Sequence, residues 1–438
     1  MMAAGPVPAR TIMSDPPSPS PTAAILTLGC KLNLANSETM ARQLRAAGWT
    51  VIDRPRAADA VIVNTCSVTH VADHKSRHLV RKARRLAPDA TVAVTGCLLE
   101  TARESTIDTL EADLVFRSPK QPALVDRVIA LKPFTTPPAP GPGPTLKTRA
   151  FVSAQEGCND VCSFCVVPRT RGRERSKDVD AVVAEVQARE AEGAKEVVIT
   201  GTQLGAYGRE RDGPYRLIGA LLARTTLPRI RMSSLQPQDI SRELAALWQD
   251  RRLCRHFHIA LQSGSAAVLQ RMRRRYTPGH YRAAVDLLRR SMPDVAITTD
   301  VIAGFPGETD AEFDETYRLC REIGFAGMHV FPYSQRSGTL AARMANQVAD
   351  RVKRDRVRRL IDLGDEMAAA FRRRFIGTDA TVLWETDRWS EGARVWEGLT
   401  DTYVRVFAAS DEDLGNEITP VRLLGPRNSG LWGEVPGR

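Results

Sequence analysis

Cys158, Cys162 and Cys165 stand in the run Cys158-Asn-Asp-Val-Cys162-Ser-Phe-Cys165, a C-x3-C-x2-C triplet. Three thiolates on so short a loop can hold three irons of a [4Fe–4S] cluster and leave the fourth open to a small ligand. A structural zinc site wants four protein ligands, and no nearby fourth Cys or His completes such a set. A second set is dispersed. Cys30, Cys66 and Cys97 are 36 and 31 residues apart, a spacing without meaning as a linear motif. Each nevertheless closes a β-branched apolar run, in AAILTLGC, DAVIVNTC and TVAVTGC. If these runs are strands of one parallel sheet, their C-terminal ends share the edge where open α/β sheets bind ligands. The cysteines then converge beside helix N-termini, whose positive ends favour an anionic cluster. Buried cysteines are often plain packing residues, but that account suits one such residue better than three at equivalent positions. Cys254 and Cys320, in RRLCRHF and YRLCREI, lie in helix-like sequence and are expected to be packing residues.

The elements that must position these cysteines can be read from the alternation of strand-like and helix-like sequence. Helical stretches separate the three early runs, which implies a parallel α/β domain over residues 23–132. The segment Pro133–Pro144 has six prolines in twelve residues and reads as a linker. From residue 145 to 374 a second alternation has strands at AFVSAQEGC, EVVITG, RIRMSS, FHIALQSG, AITTDVIAGF and GMHVFPYS. Six β/α units are too few for an eightfold closed barrel, so a partial (βα)6 barrel is expected, followed by a basic helix over residues 350–374. TVLWETD, RVWEGLT and YVRVFAA open a β-rich tail, residues 375–438, that reads as a small antiparallel β-barrel. Residues 1–22 lack the apolar stretch of a signal peptide and read as a disordered tail.

The 438 residues contain no run of about 18 apolar residues, so no membrane span is expected. A cytoplasmic location keeps thiols reduced, and eight cysteines there bind metal or react rather than pair. The net charge of +11 suggests a polyanionic partner, and nucleic acid is the commonest. The charge is uneven: residues 375–438 carry −5 and the remainder +16. Two basic segments lie near the cysteines. His70–Leu86 reads as a helix with Lys75, Arg77, Arg81, Lys82, Arg84 and Arg85, and Leu79, Ala83 and Leu86 form its apolar side. Arg169, Arg171, Arg173 and Arg175 follow the triplet at alternate positions. Arg77, Arg81, Arg84, Arg171 and Arg173 are the candidate phosphate contacts.

The triplet, with aromatic Phe164 before its last cysteine, resembles the signature of the radical S-adenosylmethionine superfamily. Together with the dispersed cysteines and the terminal barrel, which resembles a TRAM domain, the chain is similar to the methylthiotransferases over residues 23–438. The resemblance implies two [4Fe–4S] clusters and S-adenosylmethionine. The cluster on Cys158, Cys162 and Cys165 would bind S-adenosylmethionine and reduce it to a 5′-deoxyadenosyl radical, drawing on an electron donor. The cluster on Cys30, Cys66 and Cys97 would carry or donate sulfur, and a second S-adenosylmethionine would supply the methyl group. Phe164, Gly201, Thr202, Gln203, Ser234, Gln262 and Gly304, at the cysteine loop or at strand ends, are the candidate cosubstrate contacts. Backbone freed by glycine can approach a small polar ligand closely.

Within the family three substrates compete: two modified forms of adenosine 37 beside the tRNA anticodon, and an aspartate of a ribosomal protein. TLGCKLN lacks the proline-containing spacing of the ribosomal-protein branch. NTCSVTHVADHKSRHLVRKARR, RTRGRERS and GTQLGAYG resemble the branch acting on N6-threonylcarbamoyladenosine rather than on the isopentenyl base. The acidic terminal barrel departs from a simple RNA-holding role. An iron–sulfur RNA-binding protein without enzymatic activity would explain the charge and the cysteines. It would not explain a triplet lacking a fourth ligand.

Overall fold

A computed structural model describes residues 20–117, 121–132, 148–208, 213–390 and 392–437. The expected linker, residues 133–144, and residues 1–19 of the expected tail lie outside them. Thr22, the last residue assigned to the expected tail, belongs to the first strand.

Five parallel strands make the amino-terminal sheet: β1 (Thr22–Thr27), β2 (Thr50–Val51), β3 (Ala60–Thr65), β4 (Thr91–Gly96) and β5 (Leu114–Val115), in the order β2-β1-β3-β4-β5. The three apolar runs are β1, β3 and β4, side by side. Every residue of β3 is buried, because packed side chains cover both faces of the sheet: Val61, Val63, Val80 and Val94 on one, Ile62, Leu44, Ala93 and Leu124 on the other. Continuous apolar sequence is what such a doubly covered strand requires. Helix α1 (Lys31–Ala46) follows β1, and helix α2 (His70–Leu86) follows β3.

The middle domain contains β6 (Arg149–Glu156), β7 (Arg175–Ser176), β8 (Glu196–Gly201), β9 (Arg229–Met232), β10 (Ser234–Leu235), β11 (His256–Ile259), β12 (Ala296–Ala303) and β13 (Gly327–Pro332). All pair in parallel except β7, a short antiparallel addition to β6. The arc is split between β9 and β10 at Ser233, and a bridge from Ile230 of β9 to Leu253 joins its two halves. No pairing between β13 and β6 closes the ring among the described residues, so this is an open (βα)6 barrel. Helix α1 covers β6 and β8, with Ala35 and Leu34 packed on Phe151 and Val198. Cys320 lies buried in the helix Asp310–Ile323 as expected. Cys254 is buried too, but it precedes β11 and is not helical.

The helix Asp350–Arg373 leads to β14 (Asp379–Ser390), β15 (Ala393–Thr400), β16 (Arg405–Ala409), β17 (Ile418–Arg427) and β18 (Gly430–Glu434). They close into a barrel ordered β14-β15-β16-β18-β17, antiparallel except for β16 with β18. It docks on the N-terminal strand ends of the middle domain. Glu385 pairs with Arg149, the first residue of β6, and Asp401 pairs with Arg255 at 2.6 Å. Tyr403 stacks on His256, with ring centroids 4.6 Å apart, and takes a left-handed φ of +65° to do so. The acidity of this barrel is thus partly matched by basic groups it sits upon. Among the described residues no helix is long and apolar enough to cross a membrane.

Candidate active site

The cysteine triplet occupies the loop after β6, at the C-terminal mouth of the open barrel. Gly157 begins the loop with φ +73°, and a Cβ there would lie 2.0 Å from the Arg173 carbonyl oxygen. Its N–H donates to the Thr202 hydroxyl at 3.1 Å. Each thiol then receives one donor. The Asp160 N–H reaches Cys158 Sγ at 3.4 Å, the Val167 N–H reaches Cys165 Sγ at 3.4 Å, and the Arg274 guanidinium reaches Cys162 Sγ at 3.2 Å. Burial pushes the Cys158 thiol up to about 11 and the Cys165 thiol up to about 12. Such thiols ionise at neutral pH only against a cation that takes up their charge. The waiting N–H and guanidinium donors suit sulfur that has become anionic. This donor set fits a cluster with three cysteine ligands.

Gln203 adds a further sign. Its Oε1 accepts from the Cys158 thiol at 3.3 Å, whereas its Nε2 is buried without a partner. Turning the amide over would let that N–H2 donate to an ionised Cys158, and the orphaned donor would be satisfied. Phe164 packs edge-on against Phe305, 6.4 Å between centroids. Of the candidate cosubstrate contacts, Thr202 and Gln203 lie against the cysteine loop, and Gly201 pairs with Gln155 near the end of β6. Ser234, Gln262 and Gly304 sit at or beyond the C-terminal ends of β9, β11 and β12. No hydrogen bond joins them to the cysteines among the described residues.

Cys66 and Cys97 directly follow β3 and β4, and Cys30 lies three residues past the end of β1, so the sheet brings them to one edge. A Cβ on Gly29, whose φ is +113°, would lie 2.9 Å from Cys66 Cβ. Asn33 ties the loops together, donating to the carbonyls of Leu28 at 2.6 Å and Thr65 at 3.0 Å. Ser76 of α2 fixes Cys66 through both its N–H at 3.0 Å and its carbonyl at 2.8 Å. Cys66 and Cys97 are buried and Cys30 is exposed. Burial, and then the neighbouring cysteines, push Cys66 up to about 11. Burial likewise raises Cys97, against the pull of Arg171.

Arg171 corrects one expectation. It is 8% exposed, pairs with Glu156 at 2.8 Å, and hydrogen-bonds Asn33 and Cys97. It cannot serve a phosphate, because its donors face the cysteine edge. Arg84 is the second correction: it is held by Asp113 at 2.6 Å and by the carbonyl of Ala90 at 3.1 Å. Arg81 and Arg173 are exposed and Arg77 is half-buried. The remaining open basic groups on α2 are Lys75, Lys82 and Arg85.

Sequence reasoning missed two further arginines. Arg274 joins Cys162 to Gln236, and Gln236 in turn reaches Asp160. Arg336, 5% exposed, bridges Asp73 at 2.7 Å and the Ser67 hydroxyl at 2.8 Å, which clamps the loop beside Cys66 onto the middle domain. In RMRRRYT Arg274 looks like a member of an ordinary charge run, and in YSQRSG Arg336 is a lone arginine without a motif. Only their partners distinguish them, a cysteine thiol for Arg274 and Asp73 with Ser67 for Arg336.

Residues 22–117 match an uncharacterised protein family, UPF0004, and residues 152–320 match the radical SAM superfamily. The threonylcarbamoyladenosine tRNA methylthiotransferase MtaB of Bacillus subtilis is 36% identical, over 94% of this chain and 97% of that protein. The tRNA-2-methylthio-N(6)-dimethylallyladenosine synthase of Caldicellulosiruptor saccharolyticus is 34% identical, over 94% and 92%. Among solved structures, the radical S-adenosylmethionine methyltransferase TsrM of Kitasatospora setae, with cobalamin and a [4Fe–4S] cluster bound, superposes with a TM-score of 0.53. That match has 15% identity and covers 72% of this chain and 75% of that one, a likeness of fold alone.

Proposed function

The chain belongs to the radical S-adenosylmethionine methylthiotransferase family, and from that premise we propose that it modifies tRNA at C2 of N6-threonylcarbamoyladenosine 37, beside the anticodon. Iron–sulfur clusters and S-adenosylmethionine are its cofactors. When bound they supply the radical chemistry, the sulfur and the methyl group that an adenine C2–H bond, with no leaving group and little acidity, requires. In this reading Cys158, Cys162 and Cys165 hold the cluster that meets the cosubstrate, and Cys30, Cys66 and Cys97 hold a second one. Arg274 and Arg171 each offset negative charge at one set. Gly201, Thr202 and Gln203 shape the cosubstrate side of the loop.

The observation that carries the reading is the position of Arg171. It lies six residues after Cys165, yet its guanidinium bonds Cys97. The short helix between them, Val167–Thr170, packs on the helix Leu98–Thr101 that follows Cys97. Both sets therefore border one space, as a reaction needs when hydrogen removal and sulfur delivery occur at the same carbon. The exposed side chains of α2, with Arg173 and Arg175, flank that space as phosphate contacts. The motif phrases around Cys66, Arg171 and Gln203 favour the threonylcarbamoyl substrate.

Purified enzyme, reconstituted without oxygen and supplied with a reductant, is expected to convert tRNA bearing N6-threonylcarbamoyladenosine to its 2-methylthio form. Mass spectrometry of digested nucleosides reads the product. Turnover of the isopentenyl substrate alone would move the chain to the sister branch, and turnover of a ribosomal protein would defeat the tRNA reading.

A further inference from the structure

Within the open barrel lies a polar group that the cysteine chemistry does not use. Alternation along β12 turns Thr298, Asp300 and Ile302 to one side, and Ile302 packs in the cluster that includes Phe164 of the cysteine loop. That side is the lumen. Two residues below Ile302, the Asp300 carboxylate meets His258 Nε2 of β11 at 3.3 Å and His329 Nδ1 of β13 at 3.1 Å. His258 is fixed on its other side by the Thr298 hydroxyl, 3.2 Å from its Nδ1. His329 is not. Its side chain is 69% exposed, and no hydrogen bond engages its Nε2 among the described residues.

Burial works to raise Asp300, but hydrogen bonds from His258 and His329 hold it well below the usual carboxylate range. The same hydrogen bond raises His329 above the ordinary imidazole value. With Nδ1 donating to Asp300, the protonated form of His329 carries a second N–H, on Nε2, that faces outward. Lys31, the first residue of α1, lies close enough to His329 to act on it electrostatically. Its amine sits 5.9 Å from the Tyr403 ring centroid and has no carboxylate partner among the described residues. Phe331, 41% exposed, is two residues beyond His329 on β13. An aromatic surface for a base therefore lies next to donors that lack an acceptor.

We propose that His329, oriented by Asp300, is a specificity-determining residue that binds the carboxylate of the N6 substituent on the substrate adenine, with the Lys31 amine as its neighbour. The inference rests on the threonylcarbamoyl reading above and gives it a physical cause. A substituent ending in a carboxylate satisfies these donors. An apolar chain would bury them unpaired, and sites built to hydrogen-bond one substrate reject analogues that lack the group.

The test uses the full reconstituted enzyme and two anticodon stem-loop RNAs that differ at one group, the natural threonylcarbamoyl carboxylate or its carboxamide. Wild type should prefer the carboxylate by about tenfold or more in kcat/KM, mostly through KM, as a lost charge-assisted hydrogen bond predicts. In His329→Gln and His329→Phe the preference should collapse, because removing either partner removes the same interaction. A side chain so exposed should leave the melting temperature unchanged, and this separates a lost contact from a lost fold. Wild type that prefers the acid while both variants keep the same ratio overturns this inference alone. Wild type that leaves both RNAs unmodified but turns over a third stem-loop bearing the isopentenyl base overturns the substrate reading and the inference with it. Stoichiometric uptake of Zn2+ that disappears in His329→Gln would make the set a metal site and would also overturn the proposal.

Discussion

The two cysteine sets reach similar chemistry by opposite routes. Cys158, Cys162 and Cys165 share a loop of eight residues, and their donors come mostly from the same loop and from Arg274. Cys30, Cys66 and Cys97 span 68 residues and meet only because β1, β3 and β4 are neighbours in one sheet. A local site depends on one turn. A sheet-edge site depends on strand order, on α2 through Ser76, and on the middle domain through Arg336 and Arg171. Both begin at the same backbone device, a glycine with positive φ directly before a cysteine: Gly29, Gly96 and Gly157.

The largest effect expected is on the local set. Changing Cys158, Cys162 and Cys165 together to Ala should abolish reductive cleavage of S-adenosylmethionine and lower iron from about eight to about four per chain. Iron analysis and cleavage assays after anaerobic reconstitution check this. Retention of the full iron content would show that the ligands lie elsewhere.

A subtler change should affect the dispersed set. Gly29→Ala places a Cβ against Cys66 and forces a left-handed φ, at a backbone cost of about 1–3 kcal/mol. Methylthio product should fall at least about tenfold, while cleavage of S-adenosylmethionine persists, since the mouth loop of the barrel is untouched. Gly157→Ala should instead depress both activities, because its Cβ would strike the Arg173 carbonyl within that loop. Equal loss of cleavage in the two variants would erase the distinction between the sites.

The same contrast explains what the sequence revealed. The triplet is legible as a string. The trio is legible only once strands are assigned, and the apolar runs made that possible because a doubly covered parallel strand has little room for polar residues. The domain order, the open barrel and the closed terminal barrel were legible for the same reason, from periodicity and turn chemistry. The short edge strands β2 and β5, two residues each, carry no pattern to detect. Arginine roles were not legible. Arg171 and Arg84 look like Arg173 and Arg81 in sequence, but two are committed to internal partners and two are exposed. Nor could composition show that the acidic barrel docks on Arg149 and Arg255, since a net charge does not say which charges meet. Its −5 therefore needs no acidic docking role toward a basic protein. His329 escaped notice for a related reason: a single histidine in GMHVFPYS has no motif, and its meaning comes from strands β11 and β12 beside it.

The smallest effect is also the sharpest test of the comparison. Val63 is fully buried in β3, three residues before Cys66, and packs against Val80 and Val94. Val63→Ala removes two methyl groups from the sheet core at a cost of about 2 kcal/mol, allowing for the cavity left behind. With a urea slope of about 2 kcal/mol/M, the amino-terminal domain should unfold about 1 M earlier. If the dispersed set holds a cluster through the sheet, the iron bound there should be released at the lower urea concentration. The iron at the mouth loop should leave at an unchanged one, because β6 and its neighbours keep their own core. Wild type and variant would then differ in one of two release steps, followed by visible absorbance and by chelator capture. A shift of both steps together would mean that Arg336, Arg171 and α1 weld the two domains into one cooperative unit. The difference between a local and a topological site would then lie in how each is encoded, not in how each is lost.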